Sequence, residues 1–366
     1  MRVVIRVDSA SHIGAGHVMR CLTLANALRV KEAEVSFVCR SFPGHLGERI
    51  ISEGHQLYLL PLSTKVIEPI SPLEGVPSHV GWLGESWETD LVQTQAMLEG
   101  KQFDWLILDH YSLDSRWESG MRKLSDNIMV IDDLADRRHD CDLLLDQTLG
   151  RSEAVYKTLV PKKCALLTGS DYALLSPEFS KLRAYSLKRR IKPKVEHLLI
   201  SMGGIGQSNA TGKVLESLKY SPLPQNCRIT IVISDAVPWL DKIREQAEKL
   251  VWKTELKVNV FNMAELMANS DLAIGAAGGT AWERCCLGLP SIMITLADNQ
   301  REIGFMLEQE QAAILISEIS DVKEAVKLLC NSANKLSDLS LVSRKITDGT
   351  GVEKVLFCME QLCVGN

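Results

Sequence analysis

The chain lacks any apolar run approaching the length of a membrane span, so no transmembrane helix is expected. Its opening stretch, Met1 to Asp8, is too short in its apolar part for a signal peptide, and a charge interrupts it; a cytoplasmic location is expected. No run of Lys and Arg is interleaved with aromatics, and the formal net charge is -5, which argues against a nucleic-acid partner. The densest basic stretch, Lys188 to Lys194, is short and reads as a solvated linker. The ten cysteines, scattered from Cys21 to Cys363, include no C-x-x-C pair and have no His at finger-like spacing, so no zinc site is expected. In a reducing compartment they are small core residues. Tandem repeats and low-complexity segments are also missing; Ser63 to Pro77, with three prolines, reads as an irregular surface loop.

What is present is a long alternation of strand-like and helix-like segments. The chain has 366 residues, 46% hydrophobic and 24% charged, which suits a globular protein of two domains. Val3 to Val7, Val35 to Cys39, Trp105 to Leu108 and Ile128 to Ile131 are short, apolar and β-branched. Between them His17 to Leu28 and Glu88 to Leu98 carry apolar residues at helical spacing. A second series follows residue 194, with strands expected at Val195 to Ser201, Ile229 to Ile233, Leu256 to Val260, Leu272 to Gly275 and Ser291 to Ile294. Helices are expected at Trp239 to Leu250, Thr280 to Leu287 and Arg301 to Glu308. This alternation predicts α/β architecture: two doubly wound, Rossmann-like domains with parallel sheets, spanning 1–188 and 189–366. The closing helix, Val352 to Leu362, is free to pack on either domain. A ligand in the cleft between the domains, at the carboxyl ends of the strands, follows from that pattern.

Two segments carry chemistry. Ile13-Gly14-Ala15-Gly16-His17 follows the first strand and opens the first helix. Gly14 and Gly16 let backbone approach a ligand closely, but position 19 is Met, so the dinucleotide fingerprint is incomplete and a nicotinamide enzyme is disfavoured. At a helix start the positive potential disfavours imidazolium, so His17 is expected neutral and able to accept a proton; the alternative is a ring that caps backbone or lines the junction. In the second segment a strand runs into Ala277-Gly278-Gly279-Thr280, whose backbone amides suit a diphosphate. Glu283 either completes a T-x-x-E capping box with Thr280 or holds ribose hydroxyls; spacing leaves both open.

Three further loops follow strands: Asp109-His110-Tyr111, Asp132-Asp133-Leu134-Ala135-Asp136 and Asp298-Asn299-Gln300. The second matches D-D-x-x-D, a magnesium-diphosphate signature that elsewhere rides on a helix. Here it follows a strand, and acids capping the next helix are the plainer reading. Asp8 is a candidate for orienting the glycine loop, and Arg20, one turn into the first helix, for a structural role.

Taken together, these motifs resemble the UDP-2,4-diacetamido-2,4,6-trideoxy-β-L-altropyranose hydrolases of pseudaminic acid biosynthesis. The resemblance includes Arg6-Val7-Asp8-Ser9, Gly14-x-Gly16-His17, Met19-Arg20-Cys21-Leu22, Asp109-His110-Tyr111, Ile131-Asp132-Asp133 and Tyr172-Ala173-Leu174 with Pro177-Glu178-Phe179. It continues through Ser201-Met202-Gly203-Gly204, the turn ending at Glu283, and Asn299-Gln300. It implies the two-domain GT-B fold, similar to MurG, the enzyme that adds N-acetylglucosamine to the peptidoglycan precursor lipid. It also implies hydrolysis of the UDP-sugar with inversion and no metal or other cofactor. His17 then matches the base, and Tyr111 and Asn299 match active-site residues. Gly14, Gly16, Gly204, Ala277, Gly278, Gly279, Thr280, Glu283 and Gln300 fall in the substrate- and UDP-binding regions. One departure is Gly206, where relatives carry Asp. The expected partner is the small-molecule substrate alone, bound by a monomer. A UDP-sugar glycosyltransferase on the same scaffold is the alternative, and a nucleotide-sugar binder without turnover is a third.

Overall fold

The computed structural model describes residues 1–10, 12–62, 79–203, 209–235 and 237–364. The expected loop at Ser63 to Pro77, Gly204 and Gly206 lie outside the described residues. Residues group into two compact units, one comprising Met1–Leu174 with Val352–Asn366 and the other Leu175–Gly351.

The first unit is built on seven parallel strands. They are β1 (Arg2–Val7), β2 (Glu34–Arg40), β3 (Gln56–Leu60), β4 (Phe103–Asp109), β5 (Ser125–Ile131), β6 (Leu143–Asp146) and β7 (Ala165–Thr168), in the order β3-β2-β1-β4-β5-β6-β7. Alternate residues of β1 feed the two faces. Val3, Ile5 and Val7 pack with the first helix, Gly16–Val30, while Val4 packs with Leu106, Leu108 and Trp117 on the other side. The closing helix, Gly351–Val364, completes the first of these layers through Val352, Val355, Leu356 and Met359. Burial on both faces explains why these strands read as continuous apolar runs.

Arg6 is the exception to that pattern, and it is fully buried. Its guanidinium donates to both oxygens of Asp8 (2.6 and 2.9 Å) and to Asp90 (2.7 Å). Asp90 also accepts from Arg40 (2.6 Å) and from the Trp117 indole (3.0 Å). Asp8 accepts from the Arg40 amide and faces His110 Nε2 at 3.1 Å. The role expected for Asp8 is corrected accordingly: its oxygens are taken by Arg6, Arg40 and His110, so among the described residues it anchors this network rather than the glycine loop.

The second unit holds β8 (His197–Ser201), β9 (Arg228–Ile233), β10 (Lys253–Val258), β11 (Leu272–Ala276), β12 (Ser291–Ile294) and β13 (Ile314–Ile316). All are parallel, in the order β10-β9-β8-β11-β12-β13. The junction expected at 188/189 falls at the end of the helix Pro177–Arg189, which groups with the second unit. The reason is polar: Arg183 donates to the carbonyls of Cys286 and Arg344, and Ser186 to that of Leu287. Lys188 to Lys194 is therefore no free linker at its start. Arg189 bonds the Ala268 carbonyl and Asp271, and buried Arg190 bonds the carbonyls of Met267 and Ser270.

In each sheet the order reverses once, between β1 and β4 and between β8 and β11. In open α/β sheets the loops leaving the carboxyl ends at such a reversal diverge to opposite faces, and the crevice between them is where ligands bind. No described helix is long and apolar enough to cross a membrane.

Candidate active site

The loop after β1 is tied to itself, with the amides of Ile13 and Gly14 donating to the Ala10 carbonyl. Gly14 has φ of +90°, a conformation that excludes most side chains. A Cβ at Gly16 would meet no atom within 4 Å, so the backbone at the start of the first helix borders open space. His17 is the second residue of that helix, and Val7 pairs in register with Asp109, the last residue of β4. The switch point therefore brings His17 and Asp109 together across 92 positions of sequence, with Nδ1 and Oδ1 at 2.7 Å.

Arg20 lies on the same helix face three residues on, and its guanidinium grips both Asp109 oxygens, Nε to Oδ2 at 2.6 Å and Nη2 to Oδ1 at 2.7 Å. Its remaining nitrogen reaches Asp133 Oδ2 at 2.5 Å, to which the Tyr111 hydroxyl also donates at 2.9 Å. Burial alone would raise the Asp109 carboxyl, but Arg20 and then His17 overcome it and hold it well below the usual carboxylate range. An ionised carboxylate only accepts, so in the neutral ring the proton lies on Nδ1, toward Asp109, and the lone pair on Nε2; Arg20 Nη2 also lies 3.3 Å from Nδ1. Burial, reinforced by the negative charge of Asp133, raises the Tyr111 phenol well above its ordinary value; it is a hydrogen-bond donor here, not a base. The His17 side chain is largely enclosed, keeping 10% of its exposure, with the Tyr111 ring edge-on at 4.7 Å.

The D-D-x-x-D acids do not cap a helix, because none lies between β5 and β6. Asp132 instead accepts from the Ala135 amide and pairs with Arg137, Asp136 also pairs with Arg137, and Asp133 joins the His17 network. Asp109, Arg20 and Asp133 are the members of the His17 network that sequence reasoning undervalued. The signal available was the H-x-x-R spacing, which puts both side chains on one helix face toward the strand ends.

In the second unit β11 leads through Ala277 and Gly278 to a helix beginning at Thr280. The Ala277 amide donates to the Ile294 carbonyl, so it fastens the turn to β12. A Cβ at Gly278 would lie 3.6 Å from the Gln300 side chain, whereas one at Gly279 would meet nothing within 4 Å. Gln300 braces a neighbouring loop by accepting from the Leu296 amide. Asn299 lies in the same 3-10 turn, Asp298–Gln300, and its side chain is outside the described residues. Thr280 and Glu283 do not form the capping box, since no side-chain cap bond is present and the Thr280 hydroxyl accepts from Arg284. One Glu283 carboxylate oxygen is buried without a partner.

Burial pushes the Glu283 carboxyl up to about 7, with Arg284 opposing. The protonated form is thus the one the fold prefers. Stability is highest below the ordinary value of 4.5, falls as pH rises from there to about 7, and stays reduced above it, by roughly 3 kcal/mol. Glu283→Gln is therefore expected to raise Tm at pH 8 and leave it nearly unchanged at pH 4; thermal unfolding at the two pH values checks this.

No protein-family model matches the chain. The UDP-2,4-diacetamido-2,4,6-trideoxy-beta-L-altropyranose hydrolase of Campylobacter jejuni is 28% identical over 311 residues, 85% of this chain and 97% of that protein. The chain resembles the altropyranose hydrolases over most of its length. Among solved structures, MurG of Acinetobacter baumannii superposes with a TM-score of 0.67 at 14% identity, covering 98% of this chain and 99% of that one. A UDP-GlcNAc 2-epimerase of Neisseria meningitidis, bound to UDP-GlcNAc, gives 0.64 at 11% identity, covering 99% and 100%. At such identities the likeness bears on fold, and the fold is the GT-B pairing of two Rossmann-like domains.

Proposed function

We propose that the chain, like its hydrolase relative, splits a UDP-linked 2,4-diacetamido-2,4,6-trideoxyhexose into UDP and the free sugar, in pseudaminic acid biosynthesis in the cytoplasm. The observation that carries this reading is the His17–Asp109 pair, Nδ1 to Oδ1 at 2.7 Å, which in the neutral ring leaves the Nε2 lone pair to accept a proton. Water is a poor nucleophile, and a positioned base contributes about a hundredfold to ten-thousandfold. In the proposed step Nε2 takes a proton from water as its oxygen attacks the anomeric carbon. The bond from that carbon to the diphosphate oxygen breaks with inversion, and its electron pair leaves on UDP. Asp109 steadies the imidazolium that forms, in the manner of an acid orienting a catalytic imidazole.

Tyr111 and Asn299 are assigned to positioning sugar or water, with the Gly14 to Gly16 backbone alongside. UDP is a good leaving group, so stabilising its charge matters more than protonating it. That task is assigned to the second unit: the turn Ala277 to Thr280 with Gly204 and Gln300, and Glu283 on the ribose hydroxyls. At pH 8, where the Glu283 carboxylate is ionised, Glu283→Gln is then expected to weaken UDP binding about tenfold, as loss of a charged hydrogen bond does, while stabilising the free protein. Calorimetric titration with UDP checks the first half.

The fold shared with MurG favours a second reading, transfer of the sugar to an alcohol. The experiment that separates the two is incubation with the sugar nucleotide and no acceptor, followed by NMR. Hydrolysis predicts stoichiometric UDP and free sugar of inverted anomeric configuration; absence of release until an acceptor is added overturns it.

A further inference from the structure

Beside the charged half of the His17 site stands an aromatic half. Trp82 belongs to the short 3-10 turn Val80–Leu83. Its ring centroid lies 6.1 Å from His17, edge-on at 83°, and 5.7 Å from Tyr111, tilted by 31°. His79 sits 4.6 Å from Trp82 and 5.1 Å from Tyr111. Tyr111 and His17 are buried, whereas Trp82 and His79 both remain partly exposed.

The turn that carries the indole is held in place by its neighbours. The Trp82 amide donates to the His79 carbonyl at 2.8 Å, and the Ser112 hydroxyl, from the loop after β4, donates to the same carbonyl. Leu83 is buried in the core beneath, and Gly84 ends the turn at φ of +69°, where a Cβ would lie 2.7 Å from the Phe42 ring. A partly exposed indole next to a candidate base is apolar surface that water alone would not favour. Burial, the largest influence on the His79 imidazole, holds it below its ordinary value, so it presents a neutral ring.

We infer that Trp82 and His79 form a recognition wall for the apolar side of the sugar and determine specificity for a deoxygenated, N-acetylated hexose. This rests on the reading of the site given above. Beyond the 2-acetamido group that it shares with N-acetylglucosamine, such a sugar carries a C6 methyl and a 4-acetamido methyl, which pack on aromatic faces, whereas a hydroxymethyl group on C5 would press an unpaired hydroxyl against the indole. A pocket contact of this size separates substrates by about 10- to 200-fold.

The test compares wild type, Trp82→Phe and Trp82→Ala. For Trp82→Ala, kcat/KM on the UDP-diacetamido-trideoxyhexose is expected to fall about 10- to 200-fold, with most activity kept by Trp82→Phe. The Kd of UDP and the Ki of UDP-N-acetylglucosamine are expected to move less than twofold. Equal losses on all three ligands, or none on the trideoxy sugar, overturn the inference. The wild-type indole N–H resonance of Trp82, assigned by its loss in Trp82→Phe, gives a readout independent of turnover and of any unstable variant. It is expected to shift when the sugar nucleotide binds and to stay put with UDP alone; a silent resonance overturns the wall. Wild type that binds with that shift but does not hydrolyse overturns the proposed reaction instead.

Discussion

His17→Leu is expected to lower kcat about a hundredfold to ten-thousandfold, roughly 3 to 5 kcal/mol in barrier height, with the Kd of UDP unchanged. The argument is local. Asp109, fixed by two contacts from Arg20, holds the Nδ1 side of the ring, so the group lost with the imidazole is a lone pair in a set direction. Leucine fills a comparable volume in a largely enclosed place, and the second unit is untouched. Stopped-flow or coupled measurement of UDP release, beside calorimetry of UDP binding, checks both halves. Near-normal turnover removes His17 from the reaction.

The largest expected effect on stability comes from Asp90→Ala, at about 3 to 5 kcal/mol, the usual range when one partner of a buried ion network is removed. Asp90 holds Arg6 and Arg40, whose side chains have no exposure, and also bonds the Trp117 indole. Burial disfavours its charge, yet Arg6 and then Arg40 bring its carboxyl below the ordinary value; the neighbouring charge of Asp8 works against them. Truncation leaves two guanidiniums facing one carboxylate in a medium that hydrates neither. Urea unfolding measures the loss, and a change below about 1 kcal/mol would mean that water reaches the cluster.

Much of the architecture was legible because parallel strands buried on both faces are continuous apolar runs, as in Val3 to Val7 and Trp105 to Leu108. Shorter or less apolar strands escaped: β3 has a part-exposed centre, β6 and β7 span four residues each, and β13 only three. Such lengths fall within the range of turns. The glycine loop and His17 were legible because a strand, two glycines and a helix start are all local features. The network around it was not: Asp109 meets His17 across 92 positions, and Asp109 and Asp133 meet Arg20 across 89 and 113, a proximity that strand order creates and spacing does not encode. Local pattern also misled where other partners won. The T-x-x-E spacing at Thr280 left a cap and a ribose-binding role equally open, and Arg284, one turn on, took the hydroxyl that a cap would use. The basic stretch after Lys188 looked solvated, but carbonyls of the second unit claimed Arg189 and Arg190.

The central claim is that water, activated at His17, attacks carbon and not phosphorus. Turnover in ¹⁸O-water with the UDP-diacetamido-trideoxyhexose reads this directly by mass spectrometry. The label is expected at the anomeric oxygen of the released sugar, with none in UDP. Label in the UDP phosphate, or no release until an alcohol acceptor is supplied, would contradict the account.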